Sequence, residues 1–266
     1  MAYNLLKGKK GIIFGALDDK SIAWKIAERC AEEGAELVLT NAPVALRMGG
    51  IQELGEKLNC PVIPADATSL EDLKNLITQS KDHFGGKFDF VLHSIGMSLN
   101  VRKKREYTNI NYDWMHKTFD ISAMSFHKLM QVAMEEDVIN DWGSIVALSY
   151  IAAQRTFPDY SEMAESKALL ESFARSFGYH WAKKANVRVN TISQSPTMTT
   201  AGSGVKGFTD FFGYADKMSP LGNASSDACA DYCLTLFSDL TKMVTMQNLY
   251  HDGGFSSMGM SPDLLD

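Results

Sequence analysis

Short apolar runs rich in β-forming residues alternate with longer segments of helical period along nearly the whole chain. This alternation predicts parallel strands, because parallel neighbours need a long crossover and a helix usually provides it. The runs predicted as strands are approximately Gly11–Phe14, Glu36–Thr40, Val62–Ala65, Phe88–Ser94, Ser144–Ser149, Val187–Ser193 and Asn248–Asp252. The helical segments lie near Ser21–Glu33, Ala45–Leu58, Ser69–Phe84, Asp113–Glu136, Glu162–Lys184 and Ser225–Leu240. We expect one doubly wound α/β domain over residues 1–266, with a seven-stranded parallel sheet flanked by helices.

Two polar stretches, Met97–Tyr112 and Gln194–Asn223, break this rhythm, and each follows the carboxyl end of a predicted strand. Open α/β sheets bind ligands at that edge. The second stretch is long for a connection and carries aromatic residues, Phe208 among them. A loop of that length favours a mobile substrate-binding segment over about 194–223, and the alternative is a surface excursion with a small core of its own.

Composition excludes several classes of function. The 26 basic and 32 acidic residues leave a net charge of −6, without the basic excess that binding to nucleic acid or an anionic membrane surface requires. No apolar stretch is long enough for a membrane span or a signal peptide. Cys229 and Cys233 stand one helical turn apart, which fits core packing or half of a metal site, but no second ligand pair follows. We therefore expect a cytoplasmic protein without a metal.

The turn after the first predicted strand has the position of a phosphate-binding site. Gly15 allows a tight turn, and a helix opens directly afterwards at Ser21 and Ile22. The amino terminus of such a helix offers unpaired N–H groups and a positive dipole end to a pyrophosphate. The segment lacks the Gly-x-Gly-x-x-Gly fingerprint, and a plain turn is the alternative. The position favours a Rossmann-type dinucleotide site.

The next two strand ends bear on the adenosine half of such a cofactor. Asn41 stands where dinucleotide folds usually keep an acid for the ribose, or an arginine for a 2′-phosphate. With Arg47 as the nearest cation, this favours NADH without excluding NADPH. Asp66 is predicted either to accept a hydrogen bond from the adenine amino group or to cap the helix that follows.

Tyr160 and Lys167 are the candidate catalytic pair. They are seven residues apart, so on one helix they project from the same face toward one cleft. The lysine can then hold a nicotinamide ribose while the phenol donates to an oxygen that becomes negative during hydride transfer. Considered in isolation, a tyrosine packed on the core and a solvated helix lysine are the simpler interpretation.

The chain, over about residues 5–256, resembles the short-chain dehydrogenase/reductases, in the divergent branch formed by the enoyl-[acyl-carrier-protein] reductases of bacterial fatty acid synthesis. The segments that carry this match are Gly15 with Ser21-Ile22-Ala23, His93-Ser94-Ile95-Gly96, Tyr150 and Tyr160 with Lys167, Val187–Ser193 with Pro196, and Asp252-Gly253-Gly254-Phe255. Their most specific part is the spacing. Carbonyl-reducing members resemble one another in a Tyr-x-x-x-Lys pair, whereas here Ala164 takes that place and the lysine comes three residues later.

The resemblance implies an NADH-dependent enzyme that reduces the trans-2 double bond of an enoyl thioester, the last reductive step of fatty acid elongation. Tyr160 would stabilise the enolate, Lys167 would hold the ribose, and Tyr150 would lie beside the thioester. The substrate would arrive on an acidic acyl carrier protein, received by basic side chains at 102–105 and Lys206, for which solvated loop charge is the alternative. Family likeness also suggests a homotetramer.

The resemblance further implies a set of binding residues. With Asn41 and Asp66, the cofactor contacts would be Gly15, Ser21, Ile22, Ala67, Ser94, Ile95, Gly96, Lys167, Ile192, Pro196, Thr197 and Thr199. The substrate pocket, which in relatives also binds diphenyl-ether inhibitors such as triclosan, would contain Gly96, Tyr150, Tyr160, Met163 and Phe208. Gln194-Ser195-Pro196 departs from the Ala-Gly-Pro of many relatives. A ketone reductase and a catalytically idle dinucleotide-binding protein are the competing interpretations.

Overall fold

The computed structural model describes residues 2–204 and 207–264. Within them lies one parallel sheet of six strands: β1 Lys10–Phe14, β2 Glu36–Thr40, β3 Phe88–His93, β4 Ile139–Ser149, β5 Arg188–Gln194 and β6 Asn248–His251. The strand order is β2-β1-β3-β4-β5-β6. The chain winds outward from β1 in one direction and, from β3 onward, in the other, which confirms the doubly wound prediction. Ligands in such sheets bind where the order reverses, here between β1 and β3.

Helices cover both faces of the sheet. They are α1 Ile22–Glu32, α2 Pro43–Leu46, α3 Ile51–Leu58, α4 Leu70–Phe84, α5 Leu99–Arg102, α6 Tyr112–Phe119, α7 Ser125–Glu135, α8 Met163–Ala185, α9 Phe208–Met218 and α10 Ser226–Phe237. Residues of α4, α7 and α8 form one hydrophobic core, and residues of α1, α3 and α10 form a second. Neighbouring strand residues point to opposite faces, so Ile12 belongs to the first core and Ile13 to the second. No described helix combines the length and apolar character needed to cross a membrane.

The predicted strand Val62–Ala65 is the part of the seven-stranded prediction that is wrong. The segment lies beside β2, where Leu39 donates to the Pro61 carbonyl at 3.0 Å and accepts from the Ile63 amide at 2.9 Å. It forms a single isolated bridge there rather than a strand. Pro61 has no N–H with which to extend the ladder toward the start of β2. Past Pro64, the Ala65 amide still donates to the Asn41 carbonyl at 3.1 Å, but no further strand pairing follows in the described chain.

Three predicted segments are divided differently in the structure. The segment Ala45–Leu58 is two helices separated near Gly49, where an added Cβ would lie 2.2 Å from the Leu17 carbonyl oxygen. The segment Asp113–Glu136 is α6 and α7 joined by one π-helical stretch, Asp120–Met124. The stretch 194–223 contains the helix α9 rather than irregular chain alone. Lys206, one of the predicted carrier-binding cations, lies outside the described residues.

Candidate active site

A cleft of about 910 Å³ runs along the carboxyl edge of the sheet. The residues that follow successive strands line it: Gly15 after β1, Asn41 after β2, Ser94 after β3, Tyr150 after β4 and Ser195 after β5. Because parallel strands end together at this edge, residues distant in sequence meet around one space. Its location at the reversal of strand order is the expected ligand position for this fold.

One end of the cleft is built by the turn between β1 and α1. Gly15 has φ +95°, and a Cβ there would lie 2.0 Å from the Ser94 carbonyl oxygen, so the position requires glycine. The Ser21 hydroxyl accepts hydrogen bonds from the amides of Leu17 at 3.1 Å and Asp18 at 3.0 Å. It makes no capping bond to α1, so it does not occupy the N–H groups of the first helical turn. The positive end of α1 therefore remains suited to a phosphate.

Asn41 and Asp66 line the same end of the cleft, but both side chains also serve the local fold. Asn41 Nδ2 donates to the Ala16 carbonyl at 3.1 Å, and its Oδ1 accepts from the Ala42 amide at 2.9 Å. Asp66 Oδ1 accepts from the amide and the hydroxyl of Thr68, at 2.9 and 2.8 Å. Asp66 therefore shapes the turn before α4 and does not cap that helix. The cap is Ser69, whose hydroxyl accepts from the Asp72 amide at 3.2 Å, so the predicted capping role of Asp66 is wrong.

At the other end of the cleft, the ammonium of Lys167 lies close to Gly96. Lys167 belongs to α8, is 7% exposed, and donates from Nζ to the Leu148 carbonyl at 2.8 Å. A Cβ on Gly96 would lie 3.7 Å from this Nζ and 3.4 Å from Met163 Cε. Burial lowers the pKa of Lys167 to about 8. The group is therefore mostly cationic at neutral pH.

Tyr150 and Tyr160 lie next to each other and line the same cleft as Lys167. Their ring centroids are 5.1 Å apart at an interplanar angle of 58°. Burial raises the pKa of both phenols, so both remain protonated donors. The Tyr150 hydroxyl is buried and has no hydrogen-bond partner among the described residues. A buried phenol without a protein partner is what a ligand-binding position requires.

The path from Tyr160 to Lys167 differs from the predicted continuous helix. Tyr160 ends a short 3₁₀ turn, Pro158–Tyr160, and α8 begins only at Met163. Ser161 between them has φ +46°, which reverses the chain direction locally. The prediction that one helix carries both Tyr160 and Lys167 is therefore wrong. Both side chains nevertheless line the cleft.

Aromatic residues form the wall next to the two tyrosines. The Phe157 ring lies 5.4 Å from that of Tyr150 and 5.1 Å from that of Phe211, the latter at 90°. Phe211 and the predicted pocket residue Phe208 both come from α9. Sequence reasoning did not select Phe157 or Phe211 as pocket residues. Their aromatic character beside the predicted catalytic segment was the available signal.

The remaining predicted site residues divide into two groups. Those that line the cleft are Ile22, Ala67, Ser94, Ile95, Gly96, Met163, Pro196, Thr197, Thr199 and Phe208. Ile192 does not belong with them, and this prediction needs correction. Its side chain is fully buried in the core beneath the sheet, where Ile192 pairs in register with Leu148 and Leu249. The cleft-facing residues of this connection begin only at Gln194.

A hydrogen bond joins the two loops at the phosphate end. Thr200 Oγ1 donates to Asp18 Oδ2 at 2.6 Å. Thr200 follows β5 and lines the cleft, whereas Asp18 belongs to the turn between β1 and α1. The bond therefore links the cofactor-side turn to the 194–223 segment.

Two buried ionisable side chains support the site from behind. His93, at the end of β3, contacts Ser125 Oγ through Nε2 at 2.8 Å, and burial with the nearby Lys167 charge lowers its pKa to about 3. Glu162 is fully buried, and its Oε1 accepts from Ser98 Oγ at 2.7 Å and Thr118 Oγ1 at 2.7 Å. Burial opposes its charge, but these donors hold the pKa of Glu162 below its usual value. Sequence reasoning missed Glu162, whose signal was an acid at an otherwise buried helix start.

These features fit a nicotinamide dinucleotide. The glycine turn and the α1 amino terminus suit a pyrophosphate, and the opening beside Gly96, with Lys167 and the unpartnered Tyr150 hydroxyl, suits the nicotinamide end. No group of three potential metal-ligating side chains occurs among the described residues. The arrangement can therefore hold a flat redox cofactor and donate protons to an oxygen beside it.

Comparisons with known proteins agree with this geometry. Residues 15–256 match the family model described as "Enoyl-(Acyl carrier protein) reductase". The chain is 33% identical to the NADH-dependent enoyl-[acyl-carrier-protein] reductase FabI of Rickettsia felis, over 97% of this chain and 98% of the relative. The FabI–NADH complex of Alistipes finegoldii is 68% identical with a TM-score of 0.97, covering 98% of this chain and 92% of that one. The Bacillus cereus reductase, solved with NADP⁺ and an indole naphthyridinone, is 29% identical with a TM-score of 0.90, covering 98% and 100%.

Proposed function

Because the chain belongs to the enoyl-[acyl-carrier-protein] reductase family, we propose that Tyr160 and Lys167 perform the family's reaction at the Gly96 end of the cleft. The protein is an NADH-dependent reductase of enoyl thioesters carried on acyl carrier protein, and it works in fatty acid biosynthesis. One observation carries the assignment of residues. A buried ammonium next to Gly96 and two neighbouring protonated phenols line one cleft, and the same cleft is lined by a glycine turn suited to phosphate.

Tyr160 stabilises the charge that develops during the reaction. When bound, reduced nicotinamide supplies a hydride to Cβ of the conjugated thioester. The electrons then move onto the thioester oxygen, which becomes an enolate. The raised pKa of Tyr160 keeps its hydroxyl protonated, so it donates a hydrogen bond to that oxygen. Such a donor, fixed before the charge appears, commonly contributes about 3–4 kcal/mol to transition-state stabilisation.

Lys167 and Tyr150 position the reactants. The Lys167 ammonium holds the ribose hydroxyls next to Gly96 and adds positive potential beside the developing enolate. Tyr150, with its unpartnered hydroxyl, contacts the thioester as a second donor. The rings of Phe157, Phe208 and Phe211 enclose the acyl chain, because they supply apolar surface at this end of the cleft.

The remaining cleft residues bind the rest of the cofactor. Gly15, Ser21 and Ile22 receive the pyrophosphate, while Asn41, Asp66 and Ala67 surround the adenosine. The other proposed contacts are Ser94, Ile95, Pro196, Thr197 and Thr199. NADH is the cofactor, and use of NADPH alongside it stays open because neither an acid nor an arginine directly follows β2.

The acyl carrier protein docks beside the cleft. Arg102, Lys103, Lys104 and Arg105 are all exposed on and after α5, and Arg102 also lines the cleft. Their shared charge suits an acidic partner. We extend the proposal to a mobile segment that admits the substrate, within 194–223 over its described residues 194–204 and 207–223, and to a homotetramer assembled through the α6–α7 and α8 helices. The free cysteines suit a reducing cytoplasm.

The test follows the loss of NADH with purified protein and a short trans-2-enoyl thioester, in parallel with NADPH and with a 3-ketoacyl thioester. We expect rapid oxidation with the enoyl substrate, faster with NADH than with NADPH, and little with the ketone. Lys167→Ala should abolish most of this turnover. Faster reduction of the ketone would support the competing carbonyl-reductase function. Full activity of Lys167→Ala would remove the proposed role of that lysine.

A further inference from the structure

A buried carboxylate lies one helical turn beyond Lys167 on α8. Glu171 is 4% exposed and follows Lys167 by four residues, so both side chains stand on the same face of the helix. Glu171 Oε1 accepts from Ser149 Oγ at 2.6 Å, and its Oε2 accepts from Gln154 Nε2 at 3.2 Å. Both carboxylate oxygens are therefore held in place by neutral donors.

This carboxylate makes no salt bridge within the described part of the chain, and Lys167 is the cation that stands one helical turn away on the same face of α8. Among the described residues, no arginine or lysine nitrogen lies within salt-bridge distance of Glu171. Burying an acid without a salt-bridge partner is costly, and a buried lysine nearby faces the same cost. The Glu171 carboxylate and the Lys167 ammonium therefore stabilise each other's charged form across one turn of α8.

We propose that Glu171 is a positioning residue that acts through Lys167, supplying the negative charge that keeps the ammonium protonated beside the cleft. Ser149 and Gln154 fix this carboxylate by occupying its two oxygens. Ser149 also directly precedes Tyr150 at the end of β4, so the same contact ties the lysine's counter-charge to the substrate side. This inference rests on the role proposed above for Lys167.

The other titratable groups around the pair do not supply this charge. His93 faces Lys167 from β3 and is neutral, because burial lowers its pKa to about 3. Tyr150 and Tyr160, which line the same cleft, are also neutral, since burial raises the pKa of each. The Glu171 charge opposes the effect of burial and raises the pKa of Lys167.

Gln154 connects Glu171 to the protein surface. The Tyr250 hydroxyl, on β6, donates to Gln154 Oε1, and Tyr250 is 41% exposed. The charges acting on Tyr250 include Arg155 and Asp252 as well as Glu171. Arg155 is exposed, so solvent screens its charge and its effect on Lys167 is small. Asp252 is buried, and its two carboxylate oxygens are occupied by the backbone amides of Gly254 and Ser256, each at 3.0 Å.

The experiment measures NADH binding by cofactor fluorescence, and kcat/KM for the enoyl thioester, as functions of pH. In the wild type we expect both to decline as pH rises through about 8, the pKa of Lys167. Glu171→Gln should move that decline to lower pH by about one unit or more, and binding measured at pH 8 should weaken about fivefold. Glu171→Asp keeps a negative charge but holds it farther from the lysine. The pH at which its activity and binding decline should therefore lie between the values for the wild type and Glu171→Gln.

Glu165→Gln is the matched control, because it neutralises an acid on the same helix. Glu165 pairs with the Tyr107 hydroxyl at 2.7 Å, away from Lys167, so its pH profile should match the wild type. A purely geometric role for Glu171 predicts that Glu171→Asp, which withdraws the carboxylate from Ser149, behaves as badly as Glu171→Gln. That result, or an unshifted decline in Glu171→Gln, would overturn the inference. Thermal unfolding of each variant checks the fold.

Lys167→Met separates this inference from the proposed function. If Lys167→Met retains the decline near pH 8, then the proposed role of Lys167 itself is wrong. If Lys167→Met removes the decline while Glu171→Gln leaves it in place, then the role of Lys167 stands and that of Glu171 fails. If Glu171→Gln does not fold, Glu171→Asp still decides, because its decline must come at lower pH than in the wild type.

Discussion

Replacing Gly15 with alanine should damage both stability and cofactor binding, because two separate costs arise at one atom. The left-handed backbone conformation at φ +95° costs an alanine roughly 1–2 kcal/mol. The added Cβ would also lie 2.0 Å from the Ser94 carbonyl oxygen, so the backbone at the ends of β1 and β3 must separate. Overpacking of this kind costs about 1–3 kcal/mol. We therefore expect Gly15→Ala to lose about 2–5 kcal/mol of unfolding free energy.

Gly85 provides the matched control, because it isolates the backbone cost. It has φ +68° at the end of α4, and an added Cβ meets nothing within 4 Å. Urea unfolding should show a loss of about 1–2 kcal/mol in Gly85→Ala, the backbone cost alone, which is below the loss in Gly15→Ala. NADH titration should show weaker binding in Gly15→Ala and unchanged binding in Gly85→Ala. Equal losses of stability, or wild-type NADH affinity in Gly15→Ala, would refute the account of this turn.

Three further predictions concern the residues behind and across the cleft. Because the pKa of His93 is depressed to about 3, the free energy of unfolding should fall as pH drops below about 6.5, by up to about 1.4 kcal/mol per pH unit. Urea unfolding of His93→Phe should show a flatter fall with pH, and an unchanged slope would contradict this prediction. Glu162→Leu leaves the hydroxyl donors of Ser98 and Thr118 unpaired and should lower the free energy of unfolding by about 2–5 kcal/mol. Glu162→Gln keeps an acceptor and should lower it less, and equal unfolding midpoints of the two variants would contradict this. Thr200→Val removes the hydrogen bond to Asp18, so NADH titration should show binding weaker by about two- to tenfold, while the melting temperature stays unchanged. Wild-type NADH affinity in this variant would contradict a role for that bond in cofactor binding.

The main architecture was predictable from the sequence because its signals are local. The helix expected over Ser21–Glu33 is α1 at Ile22–Glu32, and the strand Glu36–Thr40 matches β2 at both ends. The strand expected at Val62–Ala65 failed because its apolar pattern was stronger than its capacity to pair. Pro61 faces β2 without an N–H to donate, and only its position relative to β2 shows this.

Placement at the cleft was predictable where position along the chain determines the environment, and less so where side-chain direction decides. Gly15 and Ser94 directly follow strand ends, and both line the cleft. Ile192 lies within β5, where the side chain direction alternates, and it points into the core. Glu171 escaped selection because its importance comes from contacts with Ser149 and Gln154, which are made only in the folded chain.

The central claim is that Tyr160 stabilises the enolate oxygen while Tyr150 has a secondary role. The most direct test is single-turnover hydride transfer at saturating NADH and enoyl thioester, comparing Tyr160→Phe with Tyr150→Phe. Both substitutions remove one hydroxyl from rings 5.1 Å apart, so they are closely matched. We predict a rate about 10²-fold or more below wild type for Tyr160→Phe, and a loss of less than about tenfold for Tyr150→Phe. A wild-type rate in Tyr160→Phe, or a larger loss in Tyr150→Phe, would contradict the claim.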